Sequence, residues 1–226
     1  MQTQSAPSFE TVPAAVAAAL PLSAEDQARA DLYALSARLL LAPPDAALLA
    51  SLAGADPILG SRDERPLEDA WEKLVLAASV VSADAVSDEF DELFISTGTP
   101  QLNPYGSLYL SGFMNDAPLA ALRADLARLG LGRAPGVGEF EDHLGALCET
   151  MRVLVAGGPG IARQPLARQT QFFETHIKPW YSACLADIAR ADGANFYRLV
   201  AAFAAAFLAI EAEAFAVEGP EEPAVL

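Results

Sequence analysis

The chain has 226 residues, of which 30 are acidic and 14 basic, and its formal net charge is −16. This charge repels nucleic acids and anionic membranes and favours a cationic partner. Acidity also keeps proteins in solution without any specific partner, so charge alone leaves both interpretations open. The hydrophobic fraction of 53% is rich in alanine and contains no alternating β-branched runs of the kind that strands need, which favours helices.

The N-terminal segment, residues 1–22, has an apolar part over residues 12–22 that resembles the centre of a secretion signal. No lysine or arginine precedes Arg29, so the charged region that opens a signal peptide is missing. We therefore expect residues 1–22 to be a disordered tail. At the other end, residues 218–226 are expected to be a flexible acidic tail.

The first three helices are predicted from their starts. Ser23 resembles the first residue of a capping box, Asp45 begins a short second helix, and Pro66 suits the first turn of a third. A fourth helix, over residues 83–95, has one acidic face and one apolar face. The apolar face holds Phe90, Leu93 and Phe94.

A loop over residues 96–107 follows, since Pro100, Pro104 and the glycines there fix turns. A fifth helix should end at Gly130, and residues 130–138 are the predicted hinge. The remaining helices are predicted at about 139–156, 163–178, 180–191 and 195–217. The sequence thus predicts an all-α domain over residues 23–217, with about nine helices in two lobes, 23–130 and 139–217.

Several kinds of site are excluded by residue spacing. The two histidines, His143 and His176, follow Phe140 and Phe173 by three residues, whereas a di-metal helical site needs glutamate there. No metal site is therefore expected. No phosphate-binding loop or nucleophile elbow occurs either, so we expect no enzyme.

The two cysteines and the longest apolar run have simple structural interpretations. Cys148 and Cys184 have no Cys-x-x-Cys spacing, which favours buried reduced thiols over a disulfide or a zinc site. The apolar run 199–210 has twelve residues, fewer than the roughly twenty that a membrane span needs. It predicts a core helix and no stable membrane insertion.

The start of the helix predicted at 139–156 is acidic. Glu139, Glu141 and Asp142 fall in its first turn, where capping and the helix dipole alone explain them. His143 lies beside the apolar face and should be partly exposed, and Asp142 next to it is expected to be exposed as well. His176, next to phenylalanines and Trp180, is interpreted as a packed structural histidine.

Three stretches in chain order form a larger pattern. The first is an acidic-aromatic helix and a proline-rich loop: Glu89, Phe90, Leu93, Phe94, Pro100, Pro104, Tyr105, Ser107 and Tyr109. The second is Glu139, Glu141, Asp142, His143, Leu144, Glu149 and Met151, and the third is Phe173, His176, Ile177, Pro179 and Trp180. This order resembles the TorD/DmsD family of molybdoenzyme maturation chaperones. Phe140, Leu147 and Cys148 depart from the family pattern.

The resemblance implies a TorD-like helical bundle in the cytoplasm that binds the twin-arginine signal peptide, the apo-molybdoenzyme client, or both. Such a chaperone assists cofactor insertion and delays export, and it is not catalytic. Trimethylamine oxide reductase, dimethyl sulfoxide reductase and formate dehydrogenase are all compatible clients. A monomer and a lobe-exchanged dimer are both compatible with the sequence.

The resemblance also implies which residues form the peptide site. We expect Asp142 and His143 to line it with four loop residues, and Glu139 and Glu141 to supply further charge. The loop residues are Pro104, Tyr105, Ser107 and Tyr109. The residues assigned to structure are Glu89, Phe90, Leu93, Phe94, Pro100, His176, Pro179 and Trp180. Replacing Asp142 and His143 with alanine should then weaken peptide binding without lowering the melting temperature.

Two alternatives remain beside this hypothesis. The chain is also compatible with a non-catalytic helical scaffold or assembly subunit that binds a folded basic partner through an acidic face. Guanine-nucleotide binding has been associated with the family, although no phosphate-binding motif supports it in this sequence. Otherwise no cofactor is expected.

Overall fold

The computed structural model describes residues 21–58, 65–95, 99–133 and 138–217. Within these ranges it contains ten α-helices, one π-helical turn and no strands, so the all-α prediction is confirmed. The α-helices are α1 Ala24–Leu41, α2 Ala46–Ala53, α3 Pro66–Ala78, α4 Ala83–Phe90, α5 Gly106–Ser111, α6 Ala117–Arg128, α7 Leu144–Ala156, α8 Leu166–His176, α9 Tyr181–Arg190 and α10 Phe196–Val217. The π-helical turn, Asp91–Ile95, continues α4.

The predicted helix starts at the beginning of the chain are confirmed by their hydrogen bonds. The Ser23 side chain accepts a hydrogen bond of 3.0 Å from the Asp26 amide, and Asp45 accepts one of 2.8 Å from the Leu48 amide. Each bond satisfies an amide that has no partner within its helix. Pro66 stands in the first turn of α3, where its missing amide hydrogen costs nothing.

Helix α10 is the centre of the core and packs against α1, α3, α4, α8 and α9. Its aromatic rings contact those of its neighbours: Phe203 lies 5.6 Å from Trp71 of α3, and Phe207 lies 4.7 Å from Tyr33 of α1. Burial of such rings supplies much of the free energy of folding. The sequence of α10 is therefore apolar around most of its circumference.

The apolar character of α10 extends further than the run found in the sequence. The helix has 22 residues, and by length and composition it is long enough to cross a membrane. In its most apolar window, 44% of the residues are buried inside the fold. Ten of its residues are buried, among them Glu211, which is paired with Arg29 of α1.

Glu89 connects the first motif to the start of α10. Its carboxylate accepts hydrogen bonds of 2.9, 3.1 and 2.7 Å from the amides of Asn195, Phe196 and Tyr197. These amides open α10, where the helix dipole favours a negative charge. The structural role predicted for Glu89 is therefore the capping of a helix that lies more than 100 residues further along the chain.

Helices α1 and α7 form another extensive contact, and they approach closely at Gly145. A Cβ atom at this position would lie 2.7 Å from Cγ of Leu41, so a larger residue would force the Leu41 side chain or its helix to shift. The contact joins a helix of the first predicted lobe to one of the second. Residues 134–137 of the predicted hinge and nearly all of both predicted tails lie outside the described residues, so these assignments and the lobe boundary stay predictions.

Two helices differ from the sequence prediction. Helix α5 was not predicted, because its six residues are too few to show an apolar period. The helix predicted from residue 139 begins at Leu144, so Glu139, Glu141 and Asp142 are not in its first turn. The reason is a backbone pairing of the preceding residues, described next.

Candidate functional site

The first two motifs meet where their backbones cross. Tyr105 and His143 form an isolated antiparallel β-bridge. The Gly106 amide donates to the carbonyl of Asp142 at 2.9 Å, and the Leu144 amide donates to the carbonyl of Pro104 at 2.9 Å. We call these two segments, residues 104–107 and 142–144, the motif crossing. Its extended backbone explains why α7 starts at Leu144.

The buried Asp142 side chain links the two segments of the motif crossing. Its side chain is 3% exposed, and Oδ2 accepts a hydrogen bond of 2.8 Å from the Ser107 amide in the first turn of α5. A carboxylate at a helix N-terminus is stabilised by the dipole as well as by this bond. The prediction that Asp142 is exposed is wrong, because the polar residue has its partner 35 positions earlier in the chain.

His143 is also buried, with 5% of its surface exposed, so the prediction of partial exposure is wrong for this residue too. It is the N-cap residue of α7, and its Nδ1 accepts a hydrogen bond of 3.0 Å from the Gly145 amide. The Tyr105 ring packs against the imidazole edge-to-face, with centroids 5.1 Å apart. A nitrogen that accepts a hydrogen bond cannot carry a proton, so the ring is neutral here.

The third motif reaches the crossing through Trp180. Tyr109 stacks on the Trp180 ring with centroids 5.4 Å apart, and its hydroxyl donates to Asp187 at 3.0 Å. Gly106 lies against the same indole, since a Cβ atom on it would come within 3.2 Å of the ring. The loop half of the first motif therefore packs together with parts of the second and third motifs.

His176 is buried, as predicted, and its Nε2 lies 2.7 Å from Oδ2 of Asp125 in α6. Its own carbonyl accepts a hydrogen bond of 2.7 Å from the Trp180 indole. The residue therefore connects α8 to α6 through a side chain. Pro179, between these two residues, is exposed.

A cleft of about 280 Å³ opens beside the crossing. One wall is a single face of α7, because Ala146, Glu149, Thr150 and Val153 recur at helical spacing. The rest of the lining comes from Leu41, Leu126, Leu131, Gly132, Arg133, Glu139, Phe140 and Glu141. We call it the acidic cleft, because three carboxylates and one guanidinium stand among apolar side chains.

The carboxylates of the acidic cleft already have partners. Glu141 accepts hydrogen bonds of 3.1, 3.1 and 2.8 Å from Arg123, which lowers the pKa of this carboxyl group. Glu149 accepts two, of 2.8 and 2.7 Å, from Arg152. The Glu139 carboxylate accepts a hydrogen bond from the Tyr105 hydroxyl, and burial together with this hydrogen bond raises the pKa of the tyrosine.

A family model described as nitrate reductase delta subunit matches residues 61–186, more than half of the chain. The chain belongs to this family. It is a family of redox-enzyme maturation chaperones, and the match covers all three motifs. The match supports the chaperone family without distinguishing the TorD/DmsD subtype. A search of curated proteins finds no significant match.

For this family member, the structure separates the predicted peptide-site residues into two groups. Pro104, Ser107, Asp142 and His143 are buried in the motif crossing. Tyr105, Tyr109, Glu139 and Glu141 are half-buried, and of these only the two glutamates line the acidic cleft. The buried group positions the others, and the peptide-contacting role assigned to all eight stays a prediction.

Several of the residues assigned to structure are packed in the fold, whereas Pro179 is exposed. Phe90 and Leu93 are buried, and Phe94 packs half-buried against Tyr197 with ring centroids 5.2 Å apart. Pro100 is half-buried. Both cysteines are buried free thiols, and burial raises the pKa of each to about 12. Within the described ranges no group of three or more metal-binding side chains occurs.

Sequence reasoning missed most of the acidic cleft. In the sequence, Glu149 stands out only as part of the second motif, and Arg133 and Leu131 belong to none of the three motifs. The spacing of residues 146, 149, 150 and 153 contains the signal, since it predicts one helix face with a single charge among small or apolar side chains. The wall on the other side comes from α6 and from residues 131–133, and no local pattern reveals it.

Because His143 is buried, we expect the folded protein to lose stability in acid. Burial lowers its pKa from 6.5 to about 4, against the opposing charges of Glu139 and Asp142. The stability that depends on a neutral ring is therefore present above pH 6.5 and is lost as the pH falls toward the folded-state pKa. We expect this residue to lower the free energy of unfolding by roughly 2 kcal/mol between about pH 7 and pH 5.

The variant His143→Asn separates this effect from general acid denaturation. Asparagine also accepts a hydrogen bond at an N-cap but does not titrate, so its stability should fall less over the same pH range. Urea unfolding of both proteins at the two pH values measures the difference. Equal losses in the wild type and the variant would show that His143 is not responsible.

Proposed function

We propose that the chain is a cytoplasmic chaperone that binds the twin-arginine signal peptide of an apo-molybdoenzyme in its acidic cleft. By holding the peptide it delays export while the molybdenum cofactor is inserted into the client. No reaction is catalysed and no cofactor of its own is needed. The single observation that carries the proposal is an apolar cleft lined by three carboxylates, which opens beside the motif crossing.

The chemistry of the ligand matches this cleft. A twin-arginine signal combines two adjacent guanidinium groups with a moderately apolar stretch. Arginine binds carboxylates through paired charge-assisted hydrogen bonds, which Glu141 and Glu149 both offer. The apolar stretch can then pack on Leu41, Leu131 and Phe140, which line the same cleft.

A larger groove fits the ligand less well. It has a volume of about 830 Å³ and lies between α1, α8 and α10. Its charged lining includes Arg29 and Arg163 beside acidic residues, and none of the predicted peptide-site residues lines it. The groove lining has three carboxylates and two guanidinium groups, whereas the acidic cleft lining has three carboxylates and one, so electrostatic complementarity favours the acidic cleft.

Glu141→Gln is expected to weaken binding of a twin-arginine peptide about tenfold, which corresponds to the loss of one charge-assisted hydrogen-bonded pair. Isothermal titration calorimetry with a synthetic peptide, two adjacent arginines followed by an alanine- and leucine-rich stretch, measures the affinity. Wild-type affinity should also fall as the salt concentration rises, because exposed charges are screened.

Glu174→Gln is the matched control. Glu174 is a partly exposed glutamate paired with Lys178 at 2.7 Å, and it does not line the cleft. This variant should bind the peptide like the wild type. If both variants bind equally well, or if a folded wild type binds no twin-arginine peptide, the acidic cleft is not the peptide site.

A further inference from the structure

Two carboxylates of the acidic cleft bind guanidinium groups of the chain itself. Arg123 is bound to Glu141 through both carboxylate oxygens, and Arg152 is bound to Glu149 in the same forked way. The Arg133 guanidinium lies 5.9 Å from the centre of the Phe140 ring, inside the cleft lining. The structure therefore shows these side chains binding arginine, the group that the proposed ligand presents twice.

We propose that Arg123 and Arg152 are internal competitors for the twin arginines, and that peptide binding displaces them from Glu141 and Glu149. The inference rests on the proposed function, and it adds which residues make the cleft specific for two adjacent arginines. A ligand with a single cation could displace one internal arginine but would leave the other in place. A pair of arginines can take over both carboxylates, so the cleft discriminates in favour of the pair.

The geometry makes displacement feasible. The Arg123 side chain is 48% exposed, whereas Glu141 is 13% exposed, so the arginine can swing into water while the carboxylate stays. The Arg152 and Glu149 side chains are 30% and 46% exposed. Partly exposed ion pairs are individually weak, so an incoming guanidinium can exchange with them at little cost.

If Arg123 and Arg152 compete with the peptide, removing either should strengthen peptide binding, whereas removing a supporting contact would weaken it. Removing an internal arginine frees its carboxylate, so a twin-arginine peptide should bind roughly two- to fivefold more tightly to Arg123→Gln and to Arg152→Gln. A peptide with two lysines should gain less, because ammonium groups do not form the paired hydrogen bonds. If the arginines instead position the carboxylates, both variants should bind more weakly.

Calorimetry on the full-length chain tests this with the synthetic twin-arginine peptide and its twin-lysine counterpart. Arg190→Gln is the matched control for Arg152→Gln, because Arg190 pairs with Asp187 at the same (i, i+3) spacing as Arg152 with Glu149, but Asp187 does not line the cleft. Arg123→Lys keeps the charge at that position and should show a smaller gain than Arg123→Gln. Thermal unfolding of each variant confirms that it is folded.

The outcomes distinguish this inference from the proposed function. Tighter twin-arginine binding by Arg123→Gln and Arg152→Gln, with Arg190→Gln unchanged, supports both. Wild-type binding that the two variants leave unchanged or weaken overturns the competition and leaves the peptide site standing. If neither the wild type nor any variant binds the peptide, the proposed function fails and the inference fails with it.

Discussion

Replacing Glu211 with alanine will lower the free energy of unfolding by about 3 to 5 kcal/mol, the cost of leaving a largely buried charge without its partner. Glu211 is 3% exposed and accepts two hydrogen bonds of 2.8 Å from Arg29, whose side chain is 16% exposed. The pair joins α1 to the central helix α10. Without the carboxylate, the Arg29 guanidinium keeps weaker contacts: 3.1 Å to Gln169, 3.3 Å to Asp26, and 5.4 Å to the centre of the Phe215 ring.

Urea unfolding followed by circular dichroism measures this loss. The double variant Arg29→Met with Glu211→Leu removes both charges, and most of the lost stability should return, because apolar residues of similar volume can replace a buried ion pair. As a surface control, Glu174→Ala should cost less than about 1 kcal/mol. A similarly small effect of Glu211→Ala would mean that the pair is as solvated as a surface pair.

Asp142→Ala is the second large effect, and we expect a loss of about 2 to 3 kcal/mol. The Ser107 amide would lose a charged acceptor inside a buried crossing, and an unsatisfied buried donor costs free energy in addition to the lost bond. Asp142→Asn should cost less, since the amide oxygen can still accept from Ser107. This reverses the expectation from sequence that alanine at Asp142 leaves the melting temperature unchanged.

Asp116 provides a matched comparison for Asp142. It stands at the N-cap of α6, but it is exposed and its side chain makes no capping hydrogen bond. Asp116→Ala should therefore change stability by less than about 0.5 kcal/mol. Equal effects of the two alanine variants in urea unfolding would contradict the assigned role of the buried carboxylate.

Local signals determined which parts of the fold were predictable from sequence. The caps at Ser23 and Asp45 and the proline at 66 each act within one helical turn, so they are visible in a short window of sequence. The apolar period gave the buried face of α4 in the same way. Long-range partners were not visible, and Glu89 illustrates this because its carboxylate caps a helix that starts at residue 196.

The error at residues 139–143 has a specific cause. The residues Phe140, Leu144, Leu147 and Met151 continue one helical period, so the pattern extends the helix backwards past its real start. The backbone there pairs with residues 104–106 instead, and tertiary hydrogen bonds override the local preference. Assigning Asp142 and His143 to an exposed helix face followed from the same error.

The resemblance to a family supplied some of the long-range information that local signals lack. It grouped residues from three distant stretches, and the structure packs those stretches together at the motif crossing and around Trp180. It did not distinguish residues that hold the crossing from residues that face the cleft. That distinction depends on burial, which a single sequence does not contain.

The central position of α10 has a consequence for how the chain is made. Translation proceeds from the N-terminus, so α1 to α9 leave the ribosome before the helix against which five of them pack. The aromatic rings of Tyr33 and Trp71 have no partners on α10 until residues 203 and 207 emerge. We therefore expect the nascent chain to stay open until α10 is synthesised and then to fold in one late step.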